Sequence, residues 1–375
     1  MSHLLATNDF PPKVGGIQSY LWELWRRLEP QRFEVLTTAH PRAAAFDAGE
    51  PYRIHRLPET QTRPTPRLAR LVEDRARAMD ADLVVVDPAV PLGLIGPRLG
   101  LPYAVVLHGA EVTVPGRLPV SRQLLAHVLK NAVHIVAAGQ YPAAEAARAA
   151  GGRLPPVSIV PPGVDVDRFR PVDPALRAET RMRWGLPAAG RVVLSVSRLV
   201  PRKGMDVLIG AAGRLRDRFP DLAVAIAGEG RDRDRLQRLI GQSGAPVRLL
   251  GAVPDEDLPA LYGCADVFAM LCRNRWGGLE QEGFGIVFLE AAATGVAQVA
   301  GRSGGSYEAV EEGRTGWVVE RPASVPAVEA VLGRALADPD RLRQMGRAAR
   351  ERAVSSFSYD GLASRLGDAL AAAGG

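Results

Sequence analysis

The sequence has little cysteine and no long apolar run, and each of these two shortages excludes a class of protein. Its two cysteines, Cys264 and Cys272, cannot form a disulfide framework or complete a zinc site alone, so we expect two buried thiols. No stretch approaches the roughly 18 consecutive apolar residues of a membrane-spanning helix. The first residues lack the basic segment, apolar run and small-residue cleavage site of a secretory signal, so we expect a cytoplasmic protein.

Charge of one sign is in modest excess. The 375 residues include 47 Lys+Arg and 41 Asp+Glu, a net charge of +6, and nearly all of the cations are arginine. This excess fits nucleic acid, phosphorylated ligands or an anionic membrane surface as partners, and it fits a general compositional preference for arginine equally well. The 47% of apolar and 23% of charged residues are ordinary globular values, which exclude a wholly disordered chain.

Short apolar runs alternate with helical stretches along the whole chain. Several runs are almost continuously apolar, which is typical of strands buried on both faces of a parallel sheet. Between the first two runs, apolar residues at helical spacing predict a helix over residues 16–28. The predicted strands lie at residues 4–8, 33–38, 83–87, 103–109, 134–139, 157–161, 192–197, 222–227, 247–253, 267–271, 296–300 and 316–319.

A segment rich in Pro, Asp and Gly, residues 161–174, separates two such series and is predicted to be a linker. The predicted fold class is therefore α/β, with two doubly wound Rossmann-like domains at residues 1–164 and 165–358. The amphipathic C-terminal segment, 359–375, is expected to pack back on the first domain as a helix. Because ligands of open parallel sheets bind beyond the carboxyl ends of the strands, we expect a site in a cleft that the two domains face.

Two strand-to-helix turns in the first half carry residues suited to a ligand. Gly15 and Gly16 let the backbone approach a ligand and open a helix whose free N–H groups attract anions, although a tight turn that needs glycine explains them equally well. His108, at the end of a strand, either donates a hydrogen bond to a substrate hydroxyl or has a structural role. Neither turn has the G-x-G-x-x-G spacing, which argues against a nicotinamide dinucleotide.

A third turn, in the second half, concentrates positive charge at the start of a helix. Arg198, Arg202 and Lys203 lie within six residues after a predicted strand. Positive charge is unfavourable at the positive end of a helix dipole unless an anion offsets it. Arginine offers a fork to phosphate oxygens and lysine a point charge, so we predict a diphosphate site. The spacing of a P-loop is absent.

A fourth turn carries two glutamates eight residues apart. Glu282 lies in a glycine-rich turn and Glu290 in the helix after it. The N–H groups of the turn suit a phosphate, while Glu290 suits paired hydroxyls such as a ribose diol. The alternative is that both are ordinary acids favoured by a helix start. Together the four turns describe a ligand made of a base, a ribose, a diphosphate and a hydroxyl-rich group, which is a sugar nucleotide.

Metal ligands are not grouped in the sequence. The six histidines are scattered, and Asp165 and Asp167, which have the letters of a D-x-D motif, lie in the predicted linker. We expect cationic side chains and helix ends to neutralise a leaving diphosphate in place of a metal ion. No metal site and no cofactor are therefore predicted.

An arginine-rich segment, residues 63–79, is a further candidate feature. Arg67, Arg70, Arg75 and Arg77 accompany an apolar stripe, so this segment is predicted to be a basic amphipathic helix for an anionic membrane surface. A surface helix with an arginine-rich face is the alternative.

Long stretches of the sequence resemble the retaining, two-Rossmann-domain glycosyltransferases of family 4, which have the GT-B fold. They include TNDFPPKVGGIQSYL, PPGVDVDRFRP, SRLVPRKGMD and EQEGFGIVFLEAAATGVAQVAGRSGG, and the similarity covers nearly the whole chain. They resemble in particular the branch that moves mannose from GDP-mannose to the 6-hydroxyl of the inositol of phosphatidylinositol monomannoside. The resemblance implies an acceptor-binding first domain, a sugar-nucleotide-binding second domain, an anionic glycolipid acceptor, no nucleic acid and a place on the inner face of the cell membrane.

The resemblance also implies roles for residues of the second domain. Arg198, Arg202 and Lys203 would bind the donor diphosphate, and Glu290 the ribose. Val253 would meet the guanine through its backbone. The mannose and the β-phosphate would be bound by a run that begins at the first glutamate, namely Glu282, Gly283, Phe284, Gly285 and Ile286.

In the first domain, Gly16 would add an N–H to the phosphate, and His108 would hydrogen-bond the mannose near its anomeric centre. Asp9 and Gln18 would lie on the acceptor side. The family implies transfer without a protein nucleophile, in which the leaving phosphate helps to deprotonate the acceptor. The predicted catalytic residues are His108, Arg198, Lys203 and Glu282.

Two alternatives remain open from the sequence. The first is a family 4 glycosyltransferase with another sugar-nucleotide donor or a soluble acceptor. The second is a non-catalytic protein that binds a sugar nucleotide, which the joint presence of all the predicted site residues disfavours.

Overall fold

Two parallel β-sheets organise the chain in the computed structural model, which describes residues 1–374. One compact unit comprises Met1–Gly163 together with the chain from Tyr359 onward, and the other comprises Val164–Ser358. The boundary lies one residue before the position expected from the sequence. Within the second unit, Val164 donates its N–H to the Phe357 carbonyl at 2.9 Å, so the two points at which the chain enters and leaves this unit are adjacent.

The first sheet has seven strands in the order β3-β2-β1-β4-β5-β6-β7, and the second has six in the order β10-β9-β8-β11-β12-β13. Every pairing between neighbouring strands is parallel. The strands are β1 (His3–Thr7), β2 (Phe33–Thr38), β3 (Arg53–Leu57), β4 (Leu83–Asp87), β5 (Tyr103–Leu107), β6 (His134–Ala137), β7 (Val157–Ile159), β8 (Arg191–Val196), β9 (Leu222–Ala227), β10 (Val247–Gly251), β11 (Val267–Met270), β12 (Ala297–Gly301) and β13 (Gly316–Val319).

Helices connect the strands in both units. They are α1 (Gly16–Trp25), α2 (Ala43–Asp47), α3 (Pro66–Ala78), α4 (Ala110–Arg117), α5 (Pro119–Asn131), α6 (Gln140–Ala150), α7 (Pro174–Arg183), α8 (Met205–Leu215), α9 (Arg233–Ser243), α10 (Leu258–Gly263), α11 (Ile286–Ala293), α12 (Val325–Ala337), α13 (Pro339–Phe357) and α14 (Tyr359–Ala373). Within residues 1–374, no helix combines the length and the apolar character needed to cross a membrane.

The first sheet is buried on both faces, which confirms its doubly wound character. Leu4 of β1 packs in a core with α3 and α5, while its neighbour Leu5 packs in a second core with α1 and α14. This alternation follows from the period of two along a strand, and it explains why every residue of β1, β4 and β5 is buried and most are apolar. The C-terminal helix α14 completes the second core through Leu362 and Leu366.

Strand β3 was not predicted, because its sequence is basic and it lies at the edge of the sheet. It is mostly half-exposed, and the side chain of His55 lies 2.9 Å from the Glu34 carboxylate of β2. Arg75 of α3 donates to the same carboxylate at 2.5 Å. The buried Glu34 side chain therefore links β3, β2 and α3 by polar contacts. A search for apolar runs does not detect a strand that is held in this way.

The linker segment forms an ordered turn at the start of the second unit. The Asp165 carboxylate accepts the backbone N–H groups of Asp167 and Arg168 at 3.1 and 3.0 Å, which is the solvated turn expected for this D-x-D sequence. Cys264 and Cys272 are free, buried thiols, as expected.

Candidate active site

A close approach of two loops builds the predicted diphosphate site in the second unit. After β8, the turn Pro201–Lys203 leads through Gly204 into α8. Gly204 has a φ of 72°, and a Cβ atom there would lie 2.1 Å from the Leu271 carbonyl oxygen. Glycine is therefore required here, both for the left-handed backbone and for the contact with the loop after β11. The buried Lys203 side chain reaches the Met270 sulfur at 3.5 Å.

Glu282 lies between two of the predicted phosphate-binding cations. Its Oε2 accepts from Arg202 Nη1 at 2.5 Å and lies 2.7 Å from Lys203 Nζ. Burial opposes ionisation of Glu282, but the two cations outweigh burial and lower the pKa of this carboxyl to about 2. The cluster carries two positive charges against one negative charge, so it retains a net charge that attracts an anion.

Arg198 forms no ion pair with this cluster. Its side chain is exposed after the end of β8 and has no partner within the described part of the chain. The sequence placed the three cations in one turn, and the structure separates them into a paired couple and one unpaired guanidinium. An unpaired cation is available to a phosphate without first breaking an ion pair.

The glycine-rich turn before α11 offers backbone donors. Gly285, the residue that precedes α11, has a φ of 90°, which glycine adopts readily. Four successive backbone N–H groups in this turn donate no hydrogen bond within residues 1–374. They are the N–H groups of Gly283, Phe284, Gly285 and Ile286. Free N–H groups at a helix start form a ready anion site.

Glu290, near the middle of α11, accepts a hydrogen bond from a tyrosine that the sequence analysis missed. The fully buried Tyr262 of α10 donates its hydroxyl to Glu290 Oε2 at 2.6 Å. Burial raises the pKa of Glu290, and the Tyr262 hydroxyl opposes this change. Glu290 Oε1 makes no hydrogen bond among the described residues, so it is available to a ligand hydroxyl. Val253, in the turn after β10, is half-buried at the edge of the core of this unit.

In the first unit, the carboxyl ends of three parallel strands bring three polar side chains into hydrogen-bond contact. His108 Nε2, after β5, lies 2.8 Å from Asp87 Oδ1 at the end of β4. The other oxygen of Asp87 accepts from the Thr7 hydroxyl of β1 at 2.7 Å. Asp87 is fully buried, and it was not among the predicted site residues. An acid that ends an otherwise apolar strand, as in LVVVD, is the pattern that would have indicated it.

The environment of His108 favours its charged form. Burial lowers the pKa of this imidazole, but the Asp87 carboxylate outweighs burial, so the pKa is raised above its ordinary value. Because Asp87 occupies Nε2, only Nδ1 remains for another partner. The ring of Tyr20 lies edge-on to the imidazole, with centroids 5.1 Å apart, which restrains its orientation.

Asp9 and Gln18, predicted to be on the acceptor side, contact each other in the first unit. Gln18 Nε2 donates to Asp9 Oδ1 at 2.6 Å. A Cβ atom on Gly15 would lie 2.3 Å from Gln18 Oε1, so Gly15 leaves room for the Gln18 side chain. Gly16 is exposed at the first position of α1. Burial and the nearby Asp87 raise the pKa of Asp9.

Comparisons with known proteins agree with this architecture. The family model described as glycosyl transferases group 1 matches residues 177–352, and the model described as glycosyltransferase family 4 matches residues 14–168. The GDP-mannose-dependent alpha-(1-6)-phosphatidylinositol monomannoside mannosyltransferase of Mycolicibacterium smegmatis is 42% identical over 98% of this chain and 97% of its own. The chain belongs to the family 4 glycosyltransferases.

Other comparisons with this glycosyltransferase agree with the assignment. The Corynebacterium glutamicum GDP-mannose-dependent monoacylated alpha-(1-6)-phosphatidylinositol monomannoside mannosyltransferase is 36% identical over 98% of this chain and 97% of its own. The crystal structure of Anabaena HepE in complex with UDP superposes with a TM-score of 0.83 over 99% of this chain and 100% of that one, at 21% identity. The structural likeness establishes the GT-B type of fold, which confirms the predicted fold class.

The structure of the glycosyltransferase brings some of the predicted residues into direct contact within each unit. The second unit unites Arg202, Lys203 and Glu282, and the first unites Asp9 with Gln18 and places His108 against Asp87. Within residues 1–374, no group of three or more His, Cys, Asp or Glu side chains is arranged to hold a metal ion. The expectation that both groups face one cleft stays a prediction.

Proposed function

We propose that this glycosyltransferase moves mannose from GDP-mannose to the 6-hydroxyl of the inositol of phosphatidylinositol monomannoside, with retention at the anomeric carbon. Relatives that are 36–42% identical over almost their whole length carry the corresponding name. The observation that carries the proposal furthest is the Arg202–Lys203–Glu282 cluster beside four free backbone N–H groups. Such a combination suits a diphosphate that must be bound and then released with additional negative charge.

In this proposal the second unit binds the donor. Arg198, Arg202 and Lys203 contact the diphosphate, and the N–H groups at the start of α11 contact the β-phosphate. Glu290 accepts from the ribose diol through Oε1, while Tyr262 holds its other oxygen. The backbone at Val253 meets the guanine. Gly16, at the start of α1 in the first unit, adds one further N–H to the phosphate.

During transfer, the bond between the anomeric carbon and the β-phosphate oxygen breaks, and the acceptor hydroxyl oxygen bonds to the same carbon. The acceptor proton passes to the leaving phosphate, so no protein side chain is consumed. Glu282 contacts the mannose hydroxyls, and His108 donates to the mannose near the reacting carbon. The cations stabilise the charge that develops on the GDP leaving group, by a few kcal/mol for each well-placed donor, about 2.7–4 in measured cases.

We propose that Asp9 and Gln18 bind the acceptor and that no divalent metal or cofactor takes part. The net positive charge at the phosphate site supports this proposal. Addition of a chelator is its test: unchanged turnover supports metal-independent transfer, and loss of turnover that Mg²⁺ restores contradicts it.

We also propose that the enzyme works at the inner face of the cell membrane, with the arginines of α3 facing anionic lipid. Arg67 and Arg70 are exposed and have no partner within the described chain, whereas Arg75 is paired with Glu34 and Arg77 with Glu73. The first two arginines therefore supply most of the available charge.

The test of the proposed function is a donor panel by calorimetry without divalent metal, followed by transfer of labelled mannose to the lipid acceptor. Tight binding of GDP-mannose and a labelled dimannoside product support the proposal. Preference for UDP-glucose, ADP-glucose or UDP-N-acetylglucosamine would indicate another donor. Tight binding without turnover on any acceptor would indicate a non-catalytic sugar-nucleotide-binding protein.

A further inference from the structure

An ion pair joins the two loops that build the predicted phosphate site of the second unit. Arg273, in the loop after β11, donates through Nη2 to Asp206 Oδ2 in the first turn of α8 at 2.9 Å. The backbone N–H of Arg273 donates to the Arg202 carbonyl, also at 2.9 Å. Arg273 therefore contacts the chain on both sides of Lys203.

The order of the strands explains why these loops meet. Strands β8 and β11 are parallel neighbours, so the loops that follow them leave the same edge of the sheet. The loop after β9 contacts the start of the phosphate turn, since Leu199 donates its N–H to the Glu229 carbonyl at 2.8 Å and accepts the Asp232 N–H at 3.1 Å. The first half of the turn is therefore held by backbone hydrogen bonds, and the second half adds an ion pair.

The Asp206–Arg273 pair is partly shielded from water. Its side chains are 19% and 18% exposed, so the pair is less screened than an ion pair on the open surface. A second cation, Arg235, lies 3.4 Å from the same Asp206 oxygen, but its guanidinium also donates to Asp232 at 2.6 and 2.7 Å. Arg273 is therefore the main partner of Asp206.

The negative charge of Asp206 needs compensation in a site for an anion. This carboxylate lies three residues after Lys203 in the sequence, and a like charge there repels a phosphate. An acid in the first turn of a helix is favourable for the helix itself. Because Arg273 neutralises this acid, Asp206 can fix the turn without lowering the net positive charge of the site.

We propose that Asp206 and Arg273 are positioning residues, which hold the Arg202–Lys203 turn in the arrangement that binds a diphosphate. They act through the turn and do not contact the ligand. Preorganised donors stabilise a developing charge without reorganisation during the reaction, and misplacement by about 1 Å can cost about 100-fold in rate. The inference rests on the proposed function for the place of the diphosphate.

A comparison of nucleoside diphosphates with monophosphates measures this arrangement. Calorimetry with GDP and GMP isolates the contribution of the β-phosphate to affinity. The pair UDP and UMP repeats the measurement with another base. A preference for UDP would contradict the proposed donor, and the same comparison would still test the positioning of the turn.

Removal of either partner should weaken diphosphate binding. Arg273→Gln and Asp206→Ala should each lower GDP affinity about 10-fold, which is within the range for coupled groups of one network, and should lower GMP affinity less. Because both changes remove the same ion pair, the double variant should lose little more than either single variant. Arg273→Lys, which keeps the charge, should restore part of the loss. The matched control is Arg177→Gln, which removes a 2.6 Å ion pair with Asp266 at the amino end of β11.

The sign of the effect at Asp206 separates positioning from two alternatives. Removal of this acid would raise GDP affinity if Arg273 contacted the phosphate directly, or if Asp206 acted through its charge alone. Higher or unchanged GDP affinity of Asp206→Ala would therefore overturn the inference, as would additive losses in the double variant. An equal loss of GDP and GMP affinity, or the same loss in Arg177→Gln, would indicate a general effect on the fold and would also overturn it. Asp206→Asn carries the same test if Asp206→Ala does not fold by circular dichroism.

Failure of the proposed function has a different signature. A wild type that binds GDP but transfers no mannose to the lipid acceptor contradicts the proposed function, while the affinities of the variants still support or overturn the positioning role. A wild type that binds neither GDP nor UDP overturns both.

Discussion

The hydrogen bond between Tyr262 and Glu290 allows a sharp test of the donor site. Replacing Tyr262 with Phe removes one hydroxyl from a fully buried ring and leaves the packing of α10 against α11 in place. Glu290 Oε2 then loses its donor at 2.6 Å. The pKa of Glu290, already raised by burial, should rise further because the opposing hydroxyl is gone.

The size of the effect follows from the charge on the acceptor. A hydrogen bond to an ionised group is worth about 1.5–3 kcal/mol, and an unsatisfied buried acceptor costs about 1–3 kcal/mol. Only the part of this energy that keeps Glu290 ionised and oriented toward the ribose contributes to the free energy of donor binding. We expect GDP affinity to fall about 10-fold, which is about 1.4 kcal/mol, at neutral pH and to fall further as the pH is lowered.

Calorimetry with two ligands separates a ribose effect from a general one. GDP should show the loss, whereas 2′,3′-dideoxy-GDP, which lacks the diol, should bind wild type and Tyr262→Phe equally weakly. Tyr103→Phe is a matched control, since the Tyr103 hydroxyl donates to the Val128 carbonyl at 2.6 Å in the other unit. An equal loss with both ligands would refute the assignment of Glu290 to the ribose.

Four further predictions concern the two groups of site residues. Lys203→Ala should weaken GDP binding by about 1–3 kcal/mol in calorimetry, because a charge-assisted contact is lost, and unchanged affinity would contradict its place at the diphosphate. His108→Ala should lower kcat far more than donor affinity, and an equal loss of both would make His108 a binding residue. Asp87→Asn should lower kcat and shift its pH profile, because the raised pKa of His108 depends on the Asp87 carboxylate, and an unshifted profile would leave Asp87 a structural role. The pKa of Glu282 is about 2 in the folded protein against an ordinary value of 4.5, so its ionised form stabilises the fold above pH 4.5 and this stabilisation is lost as the pH falls toward 2. The free energy of unfolding from chemical denaturation should therefore fall by up to about 3 kcal/mol over this range. The fall should be smaller in Glu282→Gln.

The strands that the sequence predicted contain mainly apolar or β-branched residues, whether they are fully buried, like β4 and β5, or half-exposed at the edge of a sheet, like β7 and β10. Strands β2, β4, β9 and β13 begin and end where expected. Strand β3 could not be found in this way. Its His55 contacts the Glu34 carboxylate, which also accepts from Arg75 of α3. A sequence pattern gives no information on such polar contacts between residues that are far apart in the chain.

The same distinction applies to the site. Arg202, Lys203 and Glu282 were predicted individually from turn chemistry, and their ion pairs follow from the closeness of two loops that Gly204 permits. Tyr262 was missed because it precedes Glu290 by nearly thirty residues and lies among apolar residues of a short helix. Asp87 falls at the end of a predicted strand, but only the parallel order of β1, β4 and β5 shows that it meets His108.

The contacts that are best defined in this structure concern the parts that nucleoside diphosphate sugars share. In the proposed function, cations and free N–H groups recognise a diphosphate and Glu290 recognises a ribose diol, and this recognition would be the same whichever base and sugar the donor carries. Anabaena HepE, which was crystallised with UDP, has the same fold, so the fold does not select the base. If the proposed function is correct, we expect selection of guanine and mannose to depend on the turn at Val253 and on the side chains of Glu282 and His108, which are proposed to contact the base and the sugar. Substitutions at the diphosphate should weaken all donors together, whereas substitutions at these two places should change which donor is preferred.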